Sequence, residues 1–395
     1  MASPLLIDLS HTSHTLARTG IQKVCRSLYR ELGDVAPICH DPYEGAWRPL
    51  DEWELRNLCS TETSGGRGAK WPLLAQLCGR MRRLSGRPDP LAALCAPAGT
   101  RGLVVPEIFS PDVASALPEL FAATKGPRIA LFHDAIALQF PEYTPRGTVT
   151  RFPRYLQELL KFDGIAAVSE SSRTALLGYW RWLGVSDVPE VAAITLGVSV
   201  PSRTTPATVP AIPTVLCVSS IEARKNHLSL LEACESLWAS GVSFQLRLVG
   251  LANAETGKAA LERIEQLRAA CRNIRYDGAL SDEGLESAYA ECTFTVYPSF
   301  AEGFGLPVAE SLQRAKPCAC RMEGALGEIA RQGGCMDLGA ATPMEIAAAI
   351  GSLLAWPAEL ADLGLAAAER RFKGWPEYAK ELEAWMGTIH VRMPR

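Results

Sequence analysis

In the run FTVYPSFAEGFGLPVAESLQRAK, from Phe294 to Lys316, two carboxylates stand eight residues apart. Glu302 falls in a glycine-bearing turn and Glu310 about one turn into the helix that follows. The apolar strand FTVY stops at Pro298-Ser299, and Pro307 sits where a helix would begin, at its first position. A turn running into a helix start offers free backbone N–H groups, a ready site for an anion or for sugar hydroxyls. A loop carboxylate accepts hydrogen bonds from vicinal hydroxyls, and one further up the helix reaches a second diol. Two carboxylates so spaced suit a ligand with two polyol ends, such as a nucleotide-sugar.

Other chemistries are poorly served. GLANAETGK, at Gly250–Lys258, resembles a phosphate loop, but its glycines are too far apart and Ala259 stands where a metal-binding hydroxyl belongs. Gly303-Phe-Gly305 opens like a dinucleotide fingerprint, yet Val308 replaces the third glycine. The histidines at 11, 14, 40, 133, 227 and 390 show no metal-ligand spacing, so no metal site is expected. There is no G-x-S-x-G nucleophile elbow.

The elements that must position these residues follow from hydropathy. Brief, almost wholly apolar runs read as parallel strands covered on both faces: Leu5–Leu9, Leu103–Val105, Ile129–Phe132, Ile165–Val168, Ala192–Leu196, Thr214–Val218, Phe244–Val249, Ile274–Tyr276 and Phe294–Tyr297. Helix-periodic stretches separate them; Ile21, Val24, Cys25, Leu28 and Leu32 form one buried stripe. Such alternation specifies doubly wound α/β sheets. PSRTTPATVPAIP, residues 201–213, reads as a semi-rigid linker between a first domain at 1–200 and a second at 214–375. Residues 376–395 are expected to form a last helix.

The chain of 395 residues has net charge −3, which argues against a dedicated nucleic-acid binder. The opening MASPLLIDLS lacks a basic n-region, and no apolar run is long enough to span a membrane, so the expected location is cytoplasmic. Twelve scattered cysteines without a C-x-x-C read as reduced thiols. One segment, 41–98, departs from the alternation. Between Arg67 and Arg87 it carries six basic residues and no acidic one, interleaved with Trp71, Leu73, Leu74, Leu77 and Met81. A helix there is either a solvated cap on the first domain or a basic amphipathic element for peripheral membrane contact or an anionic acceptor.

E-G-F-G-L-P-x-x-E behind a Tyr-Pro-Ser strand end resembles the E-x7-E signature of retaining glycosyltransferase family 4. Its fold is GT-B, two Rossmann-like doubly wound parallel-sheet domains facing a central cleft. VSSIEARKNH (Val218–His227), DGALSDEGLESAY (Asp277–Tyr289) and EGALGEI (Glu323–Ile329) are similar to further stretches of that family, in the same order. HDAIALQFPEY (His133–Tyr143), VSESSR (Val168–Arg173) and Thr19-Gly20-Ile21-Gln22 resemble bacterial members that build surface polysaccharides. The resemblance covers about three quarters of the chain and fails across 41–98.

The resemblance implies a role for each matching residue. Glu302 would hold donor-sugar hydroxyls and Glu310 the ribose, with Gly303, Phe304, Gly305 and Leu306 bringing backbone against sugar and diphosphate. Arg224 and Lys225 would hold the diphosphate, Gly20 would approach it without a side chain, and Gly278 would lie beside the base. His133 would face the anomeric centre. Ser219 stands where many members carry a diphosphate-binding arginine, and Lys316 where a glycine is frequent. The implied activity is metal-independent, retaining hexosyl transfer from GDP-mannose or a UDP-hexose to a saccharide or lipid-linked saccharide, with the C-terminal helix crossing back to the first domain and no further cofactor. The alternatives are an epimerase or phosphorylase of the same fold, or a catalytically silent nucleotide-sugar-binding subunit.

Overall fold

Strands without polar alternation must be covered on both faces, and here they are. The structure, a computed structural model, describes residues 3–60, 68–85, 90–95, 99–199 and 212–392. Two compact units emerge, one of Met1–Asp134, Thr150–Leu196 and Trp375–Arg395, the other of Ala135–Val149 and Gly197–Gly374. Most of the linker expected at 201–213 lies outside the described residues.

The first unit carries a seven-stranded sheet: β1 (Leu5–Asp8), β2 (Val35–Asp41), β3 (Ala46–Pro49), β4 (Gly102–Val105), β5 (Arg128–Phe132), β6 (Gly164–Ala167) and β7 (Glu190–Ala193). Their spatial order is β3-β2-β1-β4-β5-β6-β7. Every neighbouring pair is parallel except β2 and β3, where Cys39 lies opposite Arg48. The apolar pattern does not announce β2 or β3, because Pro37 interrupts one and Arg48 sits in the other. β7 begins two residues ahead of the expected run. The chain's last helix, Trp375–Met386, packs in this unit, where Trp385 Nε1 donates to Glu190 at 3.0 Å. Beyond it, the Arg392 N–H donates to Asp163 at 2.7 Å, on the carboxylate that also holds Arg128.

The second unit has six parallel strands: β8 (Thr214–Val218), β9 (Gln245–Val249), β10 (Ile274–Tyr276), β11 (Phe294–Tyr297), β12 (Cys318–Cys320) and β13 (Cys335–Asp337). They lie in the order β10-β9-β8-β11-β12-β13. This order reverses direction between β8 and β11, the switch point at which ligands of doubly wound sheets bind. Leu230, Leu231 and Cys234 of the helix His227–Ala239 share one core with Phe244, Phe294, Ile346 and Ile350. Ala135–Val149, inside the stretch that alternation assigns to the first domain, belongs to this unit. The Tyr143 ring stacks on Phe300, with centroids 5.1 Å apart.

The charged insert turns out to be anchored by burial. After β3 come the helices Glu52–Cys59, Leu73–Leu84 and Pro90–Cys95. Arg48 makes a two-pronged contact with Glu54, at 2.8 and 2.9 Å, and also donates to Asp41 at 3.0 Å. His14 Nε2 meets the same Glu54 at 2.7 Å, and its ring stacks on Trp71. Burial alone would raise the Glu54 carboxyl, but hydrogen bonds from His14 and Arg48 outweigh it and hold it at about 2.

A carboxyl whose folded value is depressed contributes stability that is complete above its ordinary value of 4.5 and is lost as pH falls toward 2. Glu54→Ala takes from the buried Arg48 guanidinium its two-pronged partner, leaving Asp41 alone in close contact, and should cost about 1–3 kcal/mol in urea unfolding at neutral pH. It should also flatten the loss of stability across that acid window. An unchanged unfolding midpoint would mean that this network does not hold the insert.

Candidate functional site

The switch point gathers the loops that follow β8 and β11. After β8 the chain passes Ser219, makes one turn of tight helix at Ala223–Lys225, and enters the helix His227–Ala239 through Asn226 in a left-handed conformation, φ 57°. After β11 it passes Pro298-Ser299 and the glycine-bearing turn, then starts the helix Leu306–Gln313 with Pro307 in its first turn. The loops are tied together through their backbones. The Phe300 N–H donates to the Arg224 carbonyl at 2.9 Å, and Arg224 Nη1 returns a bond to the Ala301 carbonyl at 2.9 Å.

This lacing sets Glu302 between two cations. Arg224 Nη1 lies 3.0 Å from Glu302 Oε2, while Lys225 Nζ and Ser299 Oγ both donate to Oε1. The Tyr297 hydroxyl donates to the same oxygen at 3.0 Å and accepts from Lys225 at 2.5 Å. Arg224 Nη2 also pairs with Glu222 at 2.9 Å. Burial works against the Glu302 charge, yet the fields of Arg224 and Lys225 prevail and hold the carboxyl at about 2. Lys225 is pushed below the usual lysine range by burial and by Arg224, with Glu302 opposing. Burial and the Glu302 charge keep the Tyr297 phenol protonated well above its ordinary range.

Of the residues singled out from the sequence, Arg224, Lys225 and Glu302 therefore meet directly. Gly305 takes φ 107° at the helix entrance, and a Cβ there would lie 2.7 Å from Leu326, so glycine is required. Its neighbours Phe304 and Leu306 are buried, Gly303 partly so. Gly278, at φ 66°, accepts from the Gly250 N–H at 2.7 Å, and the space beside its Cα is open. Glu310 does not join the cluster around Glu302: it is buried in its helix, with Oε2 3.3 Å from the Tyr289 hydroxyl. Ser219 Oγ is 3.1 Å from His227 Nε2, and burial and the Lys225 charge push His227 down to about 4, leaving it neutral.

His133 and Gly20 belong to the first unit. His133, just past β5, is buried with Nε2 donating to the Pro106 carbonyl at 2.7 Å, which fixes its tautomer; burial lowers its pKa. Gly20 opens the helix Gly20–Glu31, exposed and with nothing near the position of a Cβ. Two acids that sequence reading passed over meet at this sheet's own switch point, between β1 and β4. Glu107 accepts the N–H groups of His11 and Thr12 at 2.7 Å each. Beside it, burial and the Glu107 charge push the Asp8 carboxyl up to about 7. Among the described residues His14, Cys39 and Glu54 are close enough to share a metal ion, but Arg48 already occupies that carboxylate and would repel one.

Tyr297 and His227 were also missed as partners of the cluster. The only available signal for Tyr297 is a hydroxyl-bearing residue at the carboxyl end of an otherwise apolar strand. His227 carried none, since its burial is set by packing against β8.

Residues 212–355 match the family of glycosyl transferases group 1. The chain is 29% identical over 376 residues to the serotype-specific mannosyltransferase WbdA of Escherichia coli, across 89% of this chain and 42% of that protein. It is 28% identical to the O-antigen chain mannosyltransferase B of Escherichia coli, across 52% of this chain and 56% of that one. It thus spans about two fifths to just over half the length of these relatives. Solved structures share its fold. Sucrose-phosphate synthase of Thermosynechococcus elongatus gives a TM-score of 0.68 at 16% identity, covering 97% of this chain and 98% of that one. HepE of Anabaena, solved with UDP and glucose, gives 0.68 at 15% identity, covering 98% and 100%.

A double-mutant cycle with Lys225→Met and Glu302→Gln tests whether the central ion pair carries energy. Unfolding free energies should reveal coupling of about 0.5–3 kcal/mol in favour of the native pair. Strict additivity would show that the two charges do not depend on one another.

Proposed function

From a chain whose residues 212–355 form a group 1 glycosyl transferase domain in a GT-B fold, we propose a retaining hexosyltransferase of surface-polysaccharide synthesis. The observation that carries the reading is the Glu302 carboxylate held by Arg224 and Lys225 at the switch point of the second sheet. Two fixed cations at that position fit the diphosphate of a nucleotide-sugar, and a carboxylate between them fits the sugar's hydroxyls. The donor of this reading is GDP-mannose or a UDP-hexose. Likeness to two mannosyltransferases favours the first. The acceptor is a saccharide or lipid-linked saccharide, met by a cytoplasmic protein working at the membrane's inner face.

Transfer with retention asks for no strongly placed protein nucleophile. The acceptor hydroxyl attacks the anomeric carbon on the face from which the diphosphate departs, and the departing phosphate oxygen takes its proton. Arg224 and Lys225 absorb the negative charge that grows on the leaving group, without a metal ion. Glu302 exchanges its cations for donor hydroxyls as the diphosphate arrives and neutralises them. The backbone from Gly303 to Leu306 lies against sugar and phosphate, Glu310 serves the ribose, Gly278 the base side, and Gly20 the diphosphate. His133, neutral and with its Nε2 proton committed to Pro106, presents its other ring nitrogen as an acceptor for a donor hydroxyl.

The test combines purified protein, a panel of nucleotide-sugars and a lipid-extracted saccharide acceptor, with the anomeric configuration of the product read by NMR. Glu302→Gln should lower transfer at least about a hundredfold. Nucleoside diphosphate binding should persist or tighten in the same variant, since the competing internal anion is gone. Retained transfer would remove Glu302 from the mechanism. An isomerised donor without acceptor, or an inverted product, would overturn the reaction proposed.

A further inference from the structure

From the helix Leu73–Leu84 we infer a docking element for an anionic lipid surface, set on the insert of the first unit. The helix is built inside out. Its only buried residue is Gly79, where a Cβ would press on Tyr43 at 2.9 Å and on the Glu44 backbone at 3.2 Å, so the helix rests its glycine side on the segment after β2. At about 100° per residue, positions 73, 74, 77, 81 and 84 fall within one arc pointing the opposite way. Leu73, Leu74, Leu77, Met81 and Leu84 are 53–87% exposed. A single exposed leucine needs no explanation, but five on one arc of a twelve-residue helix do.

Charge selects the occupant. No acidic residue stands between positions 68 and 85, while Lys70 just before the helix and Arg80 and Arg83 on it are exposed; Arg80, its guanidinium over the Tyr43 ring at 5.6 Å, borders the apolar arc. Arg82 is drawn inward to Asp51, at 3.1 Å, and does not contribute. Long cationic side chains flanking an apolar stripe reach lipid phosphates while the stripe enters the acyl boundary. A second copy of this chain is a poor match, because pairing this helix with itself would bring two wholly cationic segments together with no carboxylate on either to offset them. Twelve residues reach only about 18 Å, and no single helix among the described residues is long and apolar enough to cross a bilayer. The helix therefore lies along the surface. Arg67 and Arg87, the outermost of the basic residues, are outside the described ones.

The experiment is flotation of the full chain with vesicles of phosphatidylcholine alone and of phosphatidylcholine mixed with phosphatidylglycerol. The protein should float with the mixed vesicles and hardly with the neutral ones, and added salt should weaken the binding. Leu74→Glu with Met81→Glu should weaken binding at least about tenfold. Arg80→Ala with Arg83→Ala should weaken it and blunt its salt dependence. Leu74 and Met81 are exposed, so thermal unfolding of that variant should not change, and loss of the Arg80 contact with the Tyr43 ring should lower that of the other only slightly. Failure to float with anionic vesicles, equal floating with neutral ones, or undiminished binding by the Leu74/Met81 variant would overturn the inference. So would light scattering that shows a dimer dissociated by those same substitutions. Sugar transfer is not read at any step: a chain that binds vesicles but transfers nothing upholds this inference and defeats the functional one.

Discussion

A carboxylate held between two cations and largely withdrawn from solvent, at the point where a parallel sheet reverses its winding, governs the second unit. Removing a carboxylate or an ammonium from water costs several kcal/mol per ion, so Glu302 and Lys225 are tolerable only together. The remaining hydrogen-bond capacity must then be filled as well. Tyr297 and Ser299 complete Glu302, and the Ala301 carbonyl and Glu222 complete Arg224. The scaffold makes this possible because β8 and β11 are neighbours, with Phe294 in register with Val215. Their carboxyl-end loops therefore emerge side by side, close enough for the Phe300 N–H to reach the Arg224 carbonyl. A shift of either strand by one residue would turn Tyr297 to the other face and leave the carboxylate short of a donor.

The chain holds a second ionic cluster, around Glu54, and the two differ in how far their partners reach solvent. Glu54 has no exposed side-chain surface, receives two bonds from Arg48 and one from His14, and also caps its own helix by accepting the Asp51 N–H at 2.6 Å. Every partner is fixed by packing, with Trp71 closing over the imidazole. A ligand could enter only by dismantling the insert. Around Glu302 the lysine is buried but Arg224 keeps 22% of its side chain in solvent. One partner of Glu302 is thus within reach of solvent, which none of the close partners of Glu54 is. Burial of one cation and exposure of the other separates a cluster that solvent can reach from one that packing encloses.

The sequence disclosed the parts of this arrangement that are local. Glu302, the glycines beside it and Pro307 belong to one turn and one helix start, and Arg224-Lys225 to another, so types and spacing within a few residues reveal them. The nine apolar runs became strands for a similar reason, since burial on both faces leaves its mark on composition. What stayed hidden depends on distant packing. Tyr297 reads as one more apolar strand residue until β8 brings Lys225 beside it. Asp8 and Glu107, nearly a hundred positions apart, become neighbours only because β1 and β4 pair. In the insert, nothing in the sequence joins Arg48 to Glu54, because composition records that a charge is present and not that its partner is buried with it. β2 and β3 escaped notice for the related reason that an antiparallel edge tolerates Pro37 and Arg48.

Charge balance also accounts for Ser219, which stands where many chains of the resembling family place an arginine. Near the β8 loop the cations Arg224 and Lys225 face the carboxylates Glu222 and Glu302, two against two. Behind them the interior is neutral, since His227 is held at about 4 and bonds the Ser219 hydroxyl. A guanidinium at position 219 would add a third positive charge with no carboxylate to meet it, in a setting already hostile enough to lower the pKa of Lys225. Arg224, by contrast, reaches solvent and carries its own counter-ion in Glu222. The serine is therefore consistent with the local electrostatics.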